Sequence, residues 1–186
     1  MEISLSAYRD ETRYGLEIER VFKHLPIAVA LSIELPESGS YRAMTVMGVP
    51  LLLVRGEDLN VRAMLNVCRH RGAKLCEEGA GKSRLIVCPY HAWSYNYEGA
   101  LVGRYGGDTF GEIASDSYGL TGLHCEEKAG IIWASLTPGD VFDVDHWLGD
   151  FGEELETLDL NNWHLYEQRD LTGPGWKVTM DGYLAV

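Results

Sequence analysis

Long apolar runs are missing from this sequence. The two longest, Ile27–Leu31 and residues 49–54, are far too short to span a bilayer. The first ten residues mix Glu2, Arg9 and Asp10 with polar neighbours and have no apolar h-region, so neither an anchor nor a secretory signal is read there. Positive charge is scarce: 16 Lys and Arg stand against 28 Asp and Glu, a formal net charge of −12 over 186 residues. That balance disfavours nucleic acid, whose phosphates would repel the chain, and an anionic membrane surface. Internal repeats and low-complexity tracts are absent as well. Cysteine occurs only four times. Two disulfides would be conceivable, but two of the four sit in Cys-x-His and Cys-x-x-His contexts, which read as metal binding and not as a secreted framework. The expectation is a soluble, cytoplasmic protein with no nucleic-acid or membrane partner. What is present, 46% hydrophobic residues, is enough to bury a real core.

Along the chain, Tyr14, Ile18, Val21 and Phe22 fall at helical spacing within 11–23, with Asp10 placed to cap the N-terminus. This reads as an amphipathic helix packing on a core. From residue 27 the pattern changes to short candidate strands at 27–33, 41–47, 50–55, 61–66, 85–88, 93–96 and 130–136. Turn signals separate them: Pro36-Glu37-Ser38-Gly39, Gly48-Val49-Pro50, Gly79-Ala80-Gly81 and Glu98-Gly99. Residues 142–158 are acidic and read as helical, with Trp147, Phe151 and Leu155 four apart, and 163–171 reads as a last strand before Gly173-Pro174-Gly175. Many short strands at this spacing predict a mainly β chain, an antiparallel sandwich or small barrel with short flanking helices. The division expected is a helix and lead-in strand over 1–40, a central domain over 41–140, and an acidic helical segment with the opening of something further over 141–186.

The signal that carries chemistry is Cys68-Arg69-His70, then seventeen residues, then Cys88-Pro89-Tyr90-His91. Each half offers one thiolate and one imidazole from a tight loop. Two sulfurs and two nitrogens are also the set of a tetrahedral zinc site, and a structural zinc module stays open as an alternative. Zinc sites, however, usually pair Cys with Cys and His with His along the chain. A [2Fe–2S] cluster of the Rieske type needs two ligand pairs, Cys on one iron and His on the other. With two ferric ions, two sulfides and two thiolates the charges sum to zero, where four thiolates would leave two more negative charges. An electron is therefore added more easily, and the potential rises.

With those residues in view, Asn66-Val67-Cys68-Arg69-His70-Arg71-Gly72 and Cys88-Pro89-Tyr90-His91-Ala92-Trp93 resemble the two cluster loops of Rieske non-haem iron oxygenases, the α subunits of aromatic-ring-hydroxylating dioxygenases and their relatives. Leu35-Pro36-Glu37-Ser38-Gly39, Leu53-Val54-Arg55, Val61-Arg62-Ala63, Gly99-Ala100-Leu101-Val102-Gly103 and Gly130-Ile131-Ile132-Trp133 extend the resemblance from about residue 8 to 183. Leu25, where the family often has Trp, and Asp58-Leu59-Asn60, which lacks the usual turn Gly, depart from it. The resemblance implies a three-sheet Rieske domain, ligation by Cys68, His70, Cys88 and His91, and electron delivery from a reductase or ferredoxin onward to a mononuclear Fe(II) in a catalytic domain. It also implies oxygenase subunits as partners, in a homo-oligomer. Trp176, Lys177, Asp181 and Tyr183 match the opening of that domain, but Ala185 stands where an acidic residue is expected and no iron-binding histidines follow. The chain is thus expected to be a truncated α subunit, redox-active without oxidising substrate by itself. A stand-alone Rieske ferredoxin-like carrier is the alternative.

Near the loops, Gly72 is read either as letting backbone N–H groups approach the sulfides or as an ordinary tight turn. Tyr90 is read either as a hydroxyl donor to a cluster sulfur or, by preference, as an aromatic core residue. Trp93 is expected beneath the second loop with no redox role. Respiratory Rieske proteins brace their loops with a disulfide, and Ala73 and Tyr90 stand at the matching positions, so no bridge is expected. Cys76 and Cys125 read as free buried thiols. His24, His124, His146 and His164 show no ligand spacing; His24 lies at a helix C-terminus, where a cation is favourable.

Overall fold

In the computed structural model, which describes residues 4–106, 114–169 and 171–184, the strands in chain order are β1 (Ile27–Leu31), β2 (Ser40–Val46), β3 (Val49–Arg55), β4 (Val61–Leu65), β5 (Gly79–Lys82), β6 (Ile86–Val87), β7 (Ser94–Tyr95), β8 (Leu101–Gly103), β9 (Gly122–Leu123), β10 (Cys125–Lys128) and β11 (Ile131–Ala134). They form three antiparallel sheets ordered β1-β11-β10, β5-β2-β3-β4-β9 and β6-β7-β8. The mainly β, antiparallel architecture expected from the turn spacing is the one found, in the three sheets that the resemblance implies.

The period of two along β3 sets the layers. Its residues pair with β2 from Tyr41↔Val54 to Val46↔Val49, and with β4 from Leu51↔Leu65 to Arg55↔Val61. Leu52 and Val54 point to one side, into a core shared with Cys68, Leu75, Ile86, Cys88, Trp93, Tyr95 and Leu101. Leu51 and Leu53 point to the other, against Leu35, Ala63, Leu123, Ile132 and Ala134. A strand buried on both faces reads as a continuous apolar run, which is why 49–54 is one of the longest in the chain. The large sheet is thus the middle layer. The sheet β6-β7-β8 covers one of its faces and the sheet closed by β1 and β11 covers the other.

The β2–β3 hairpin turns through Met47 and Gly48, both at positive φ (49° and 78°), the two-residue geometry that matches strand twist. One turn expectation is corrected. Gly79-Ala80-Gly81 belongs to β5, paired with β2 from Ser40↔Lys82 to Ala43↔Gly79. Glycine is needed there for packing, since a Cβ on Gly81 would lie 2.6 Å from the Tyr41 hydroxyl oxygen. Residues 163–169 form no strand, correcting another expectation; their exposed aromatics find no ladder partner among the described residues.

Among the helices, α1 (Ser6–Arg9) and α2 (Glu11–Arg20) come first, and the Asp10 side chain accepts from Arg13 N–H as the expected cap. The helix buries no residue, however, so it does not pack on the core as expected. It docks instead against a C-terminal helix. The acidic stretch splits into α3 (Val144–Leu148) and α4 (Asp150–Glu156) at Gly149, whose φ is 52°. Lys128 of β10 ties both down through Asp145 at 2.9 Å and Glu156 at 2.6 Å. The last helix is α5 (Trp176–Leu184), where the sequence shows no helical periodicity. Its Lys177 donates to Ala7 O and Glu17, its Trp176 indole donates to Glu17, and the Trp176 ring meets Phe22 edge-on. Ala185 lies outside the described residues. Among those described, no helix is long and apolar enough to cross a membrane.

Candidate metal centre

Both loops close by the same backbone pattern. In the first, Cys68 N–H donates to Ala73 O at 2.8 Å and Gly72 N–H returns to Cys68 O at 2.9 Å. In the second, Cys88 N–H donates to Trp93 O at 2.8 Å and Ala92 N–H returns to Cys88 O at 2.9 Å. The flanking residues pair as Val67↔Lys74 and Val87↔Ser94. The fifth position of each loop is left-handed, Gly72 at φ 71° and Ala92 at φ 53°. Gly72 is a turn residue whose own N–H is engaged by Cys68 O. The two frames differ only in where histidine enters: second after Cys68, third after Cys88.

These frames bring the four expected residues together. Cys68 and Cys88 are 2% and 3% exposed, and the His70 and His91 rings meet edge-on with centroids 4.7 Å apart, at 68° to one another. Burial pushes the Cys68 thiol up, and the Tyr95 hydroxyl pulls it part of the way back. Burial, with His91 and then Arg71 adding repulsion, lowers the His70 imidazole, which favours the neutral form that can ligate a metal. The Nδ1 of His91 is buried with no hydrogen-bond partner among the described residues. Two shielded thiols and an imidazole nitrogen left without a partner fit a metal cluster. Among the described residues no three His, Cys, Asp or Glu side chains converge on one ion.

Three neighbours complete the site. Trp93 stacks on His70, centroids 4.7 Å apart and 8° from parallel, so it braces the first loop from the second. Tyr95, on the same face of its strand as Trp93, is fully buried; its hydroxyl accepts from Arg69 N–H at 3.2 Å and lies 3.3 Å from Cys68 Sγ. Where the sulfur is a metal-bound thiolate, which has no proton to give, the Tyr95 hydroxyl is the donor of that contact. Burial and the Cys68 contact raise the hydroxyl well above the usual phenol range, which keeps the hydroxyl proton in place. Asn66 is 1% exposed and clamps the backbone of Cys76 from both sides, donating to its carbonyl at 2.8 Å and accepting its N–H at 3.0 Å. Sequence reasoning gave the hydroxyl contact to Tyr90 and preferred a core position for it. Tyr90 is instead 60% exposed, its ring 3.7 Å from that of His91. The alternation Trp93, Tyr95 was the available signal for the right tyrosine.

The remaining candidates lie apart. Cys76 and Cys125 are free thiols, both partly buried. His24 pairs with Asp140, and His124 bonds Glu126 and Phe142 O.

Residues 26–106 match the family model described as the Rieske [2Fe-2S] domain. The chain thus contains a Rieske [2Fe–2S] domain and is homologous to the oxygenase (α) subunits of Rieske oxygenases. It is 28% identical over 176 residues to the glycine betaine monooxygenase oxygenase subunit of Chromohalobacter salexigens, covering 94% of this chain and 39% of the relative. Identity is 33% over 183 residues to the carnitine monooxygenase oxygenase subunit of Escherichia coli strain K12, covering 95% and 48%. The solved structure of the quaternary ammonium Rieske monooxygenase CntA with L-carnitine superposes with a TM-score of 0.88 at 30% identity, over 96% of this chain and 51% of that one. The chain spans about half or less of the length of the relatives it matches.

Proposed function

We propose that this chain transfers single electrons through a [2Fe–2S] cluster held by Cys68 and Cys88 on one iron and His70 and His91 on the other, as the Rieske part of an oxygenase α subunit. The observation that carries it is the pair of matched loops that supply two buried thiols and two adjoining imidazoles, one with an Nδ1 unpartnered among the described residues. Bound there, the cluster supplies a reversible one-electron couple whose potential His ligation raises. The protein's part is to exclude water from the thiolates, to favour the neutral form of the His70 imidazole, and to direct the Tyr95 proton at Cys68. A reductase or ferredoxin is the electron donor in this reading. The recipient is the mononuclear iron that Rieske oxygenases carry in their catalytic domain. Oxygenase subunits are its partners, and the cytoplasm, where thiols stay reduced, is its compartment.

The test is iron, zinc and acid-labile sulfide per chain on anaerobically purified protein, with EPR before and after dithionite. Two irons, two sulfides and a signal present only after reduction are expected. One zinc without sulfide would overturn the reading.

A further inference from the structure

Residues 32–36, the end of β3, β10 and residues 161–165 line a cavity of about 520 Å³ that opens to solvent. Its innermost residues are Leu35, fully buried, and Arg55, 8% exposed. Leu35 belongs to the core on the face of β3 away from the Cys68 and Cys88 loops, so the cavity lies across the middle sheet from the metal centre. Arg55 carries five N–H groups. Its Nε donates to Leu35 O, its Nη1 to Leu59 O and to Glu127, and its Nη2 to Ser32 O. One Nη2 N–H is left over among the described residues, and so is the second carboxylate oxygen of Glu127. Both residues line the cavity. Paired at 2.6 Å, they make this corner neutral overall. His164, the one other titratable residue of the lining, is exposed, and Asn161 adds an uncharged polar group. The remaining surface is apolar, from Ile33, Leu165 and the ring of Trp163, whose indole N–H is pinned to Leu158 O at 2.9 Å. Apolar walls around a few convergent polar groups, at this volume, are the anatomy of a small-molecule site.

We infer that this cavity binds a small, planar, uncharged molecule with a carboxamide-type edge, one acceptor oxygen beside one N–H donor. A cation would meet Arg55 and an anion would meet Glu127, so an uncharged edge loses least on leaving water. The spare N–H of Arg55 takes the acceptor oxygen and the spare oxygen of Glu127 takes the donor N–H. Both bonds are charge-assisted on the protein's side, and therefore stronger than bonds between neutral groups. The Trp163 ring supplies a flat surface for the rest of the molecule to stack on. The bonds of Arg55 to Leu35 O, Leu59 O and Ser32 O hold the surrounding backbone and are not exchanged on binding. Binding is non-covalent, and no electron or proton moves. Neither metal-binding loop contributes a residue, so the site does not depend on what the metal centre holds.

The experiment is a titration of the ¹⁵N-labelled chain with benzamide, followed by NMR at the indole N–H of Trp163 and the Nε–H of Arg55. Benzoate and benzamidine have nearly the same shape with a negative and a positive charge, and are titrated alongside. Benzamide is expected to saturate both resonances with a Kd on the order of a millimolar, the range of a ligand of this size. Both ions should bind at least about tenfold more weakly, and cyclohexanecarboxamide, which is not flat, about threefold to tenfold more weakly. Glu127→Gln removes the acceptor and leaves Arg55 uncompensated. In that variant benzamide should weaken about tenfold and benzoate should overtake it. Trp163→Ala, at an exposed position, should weaken benzamide about threefold to tenfold. Ions that bind the unaltered chain as tightly as benzamide would overturn the inference and leave only an apolar hollow. Resonances that do not move would overturn it as well, as would an unchanged order of ligands in Glu127→Gln. Should that variant not fold, unchanged benzamide binding by Trp163→Ala is the overturning result.

Discussion

Trp93 of the second loop lies flat on His70 of the first, 4.7 Å between centroids, so one loop fixes the ring orientation of the other. Trp93 is also fully buried and meets Tyr118 edge-on at 5.5 Å. Trp93→Ala removes both contacts and leaves a large void; a loss of about 3–5 kcal/mol is expected, measured by urea unfolding. Cluster content should fall with it, whereas Trp93→Phe should keep most of both.

Tyr95→Phe removes one hydroxyl and little volume. A hydrogen bond to a thiolate is stronger when that sulfur carries more negative charge, so it favours the reduced cluster. A differential of about 1 kcal/mol corresponds to roughly 40 mV for one electron. The midpoint potential of the variant should fall by that order in a spectroelectrochemical titration, with iron content unchanged. A potential that stays put would mean that the proton of Tyr95 does not reach Cys68.

Asn66→Ala leaves both backbone groups of Cys76 without their buried partners. Two such losses predict about 2–4 kcal/mol of destabilisation. Asn66→Ser, too short to reach either group, should not rescue it. Urea midpoints of the three proteins decide the matter.

Ala92 occupies a left-handed position that glycine fills in the matched loop. Ala92→Gly relieves about 1–2 kcal/mol of backbone strain and gives back part of it as unfolded-chain entropy. A net gain of about 0.5–1 kcal/mol is expected, seen as a rise of a few degrees in Tm. Gly72→Ala should do the reverse.

Glu17 couples α5 to pH. Its carboxylate takes hydrogen bonds from Lys177 at 2.6 Å, Trp176 at 3.0 Å and Arg13 at 3.1 Å, and Lys177 foremost holds its pKa below the ordinary carboxylate range. A lowered carboxylate contributes stability that is complete above its unfolded pKa and disappears as pH falls through the folded one. The indole N–H resonance of Trp176 should therefore stay in place from neutral pH down to about 4 and shift below it. In Glu17→Gln the docked helix should already be loosened at pH 7.

These cases mark how far the sequence could be read. Spacing alone brought Cys68, His70, Cys88 and His91 together, because ligand pairs in tight loops are local patterns. The strands β2, β3 and β4 were legible for the same reason: their apolar residues repeat along the segment itself. What was missed depends on partners that the segment's own composition does not display. Gly79–Lys82 has turn composition and becomes a strand only because β2 pairs with it across a packed Tyr41. Cys125–Lys128 is charged and is held in place by Ile131–Ala134. Residues 163–169 have strand-like composition and no partner strand among those described. The helix at Trp176 has little amphipathic pattern and is fixed by Glu17 and Phe22, more than 150 residues earlier. Tyr95 outranked Tyr90 through burial, which a motif does not display.

The shared backbone frame of the two loops has an evolutionary consequence. Each loop shapes itself through main-chain bonds at its first, fifth and sixth positions, so the outward side chains at Arg69, Arg71, Pro89 and Tyr90 are not needed to form the turns. The inward ones, Trp93 and Tyr95, belong to the core. Selection can redraw the outer set while the inner set continues to govern the couple it holds.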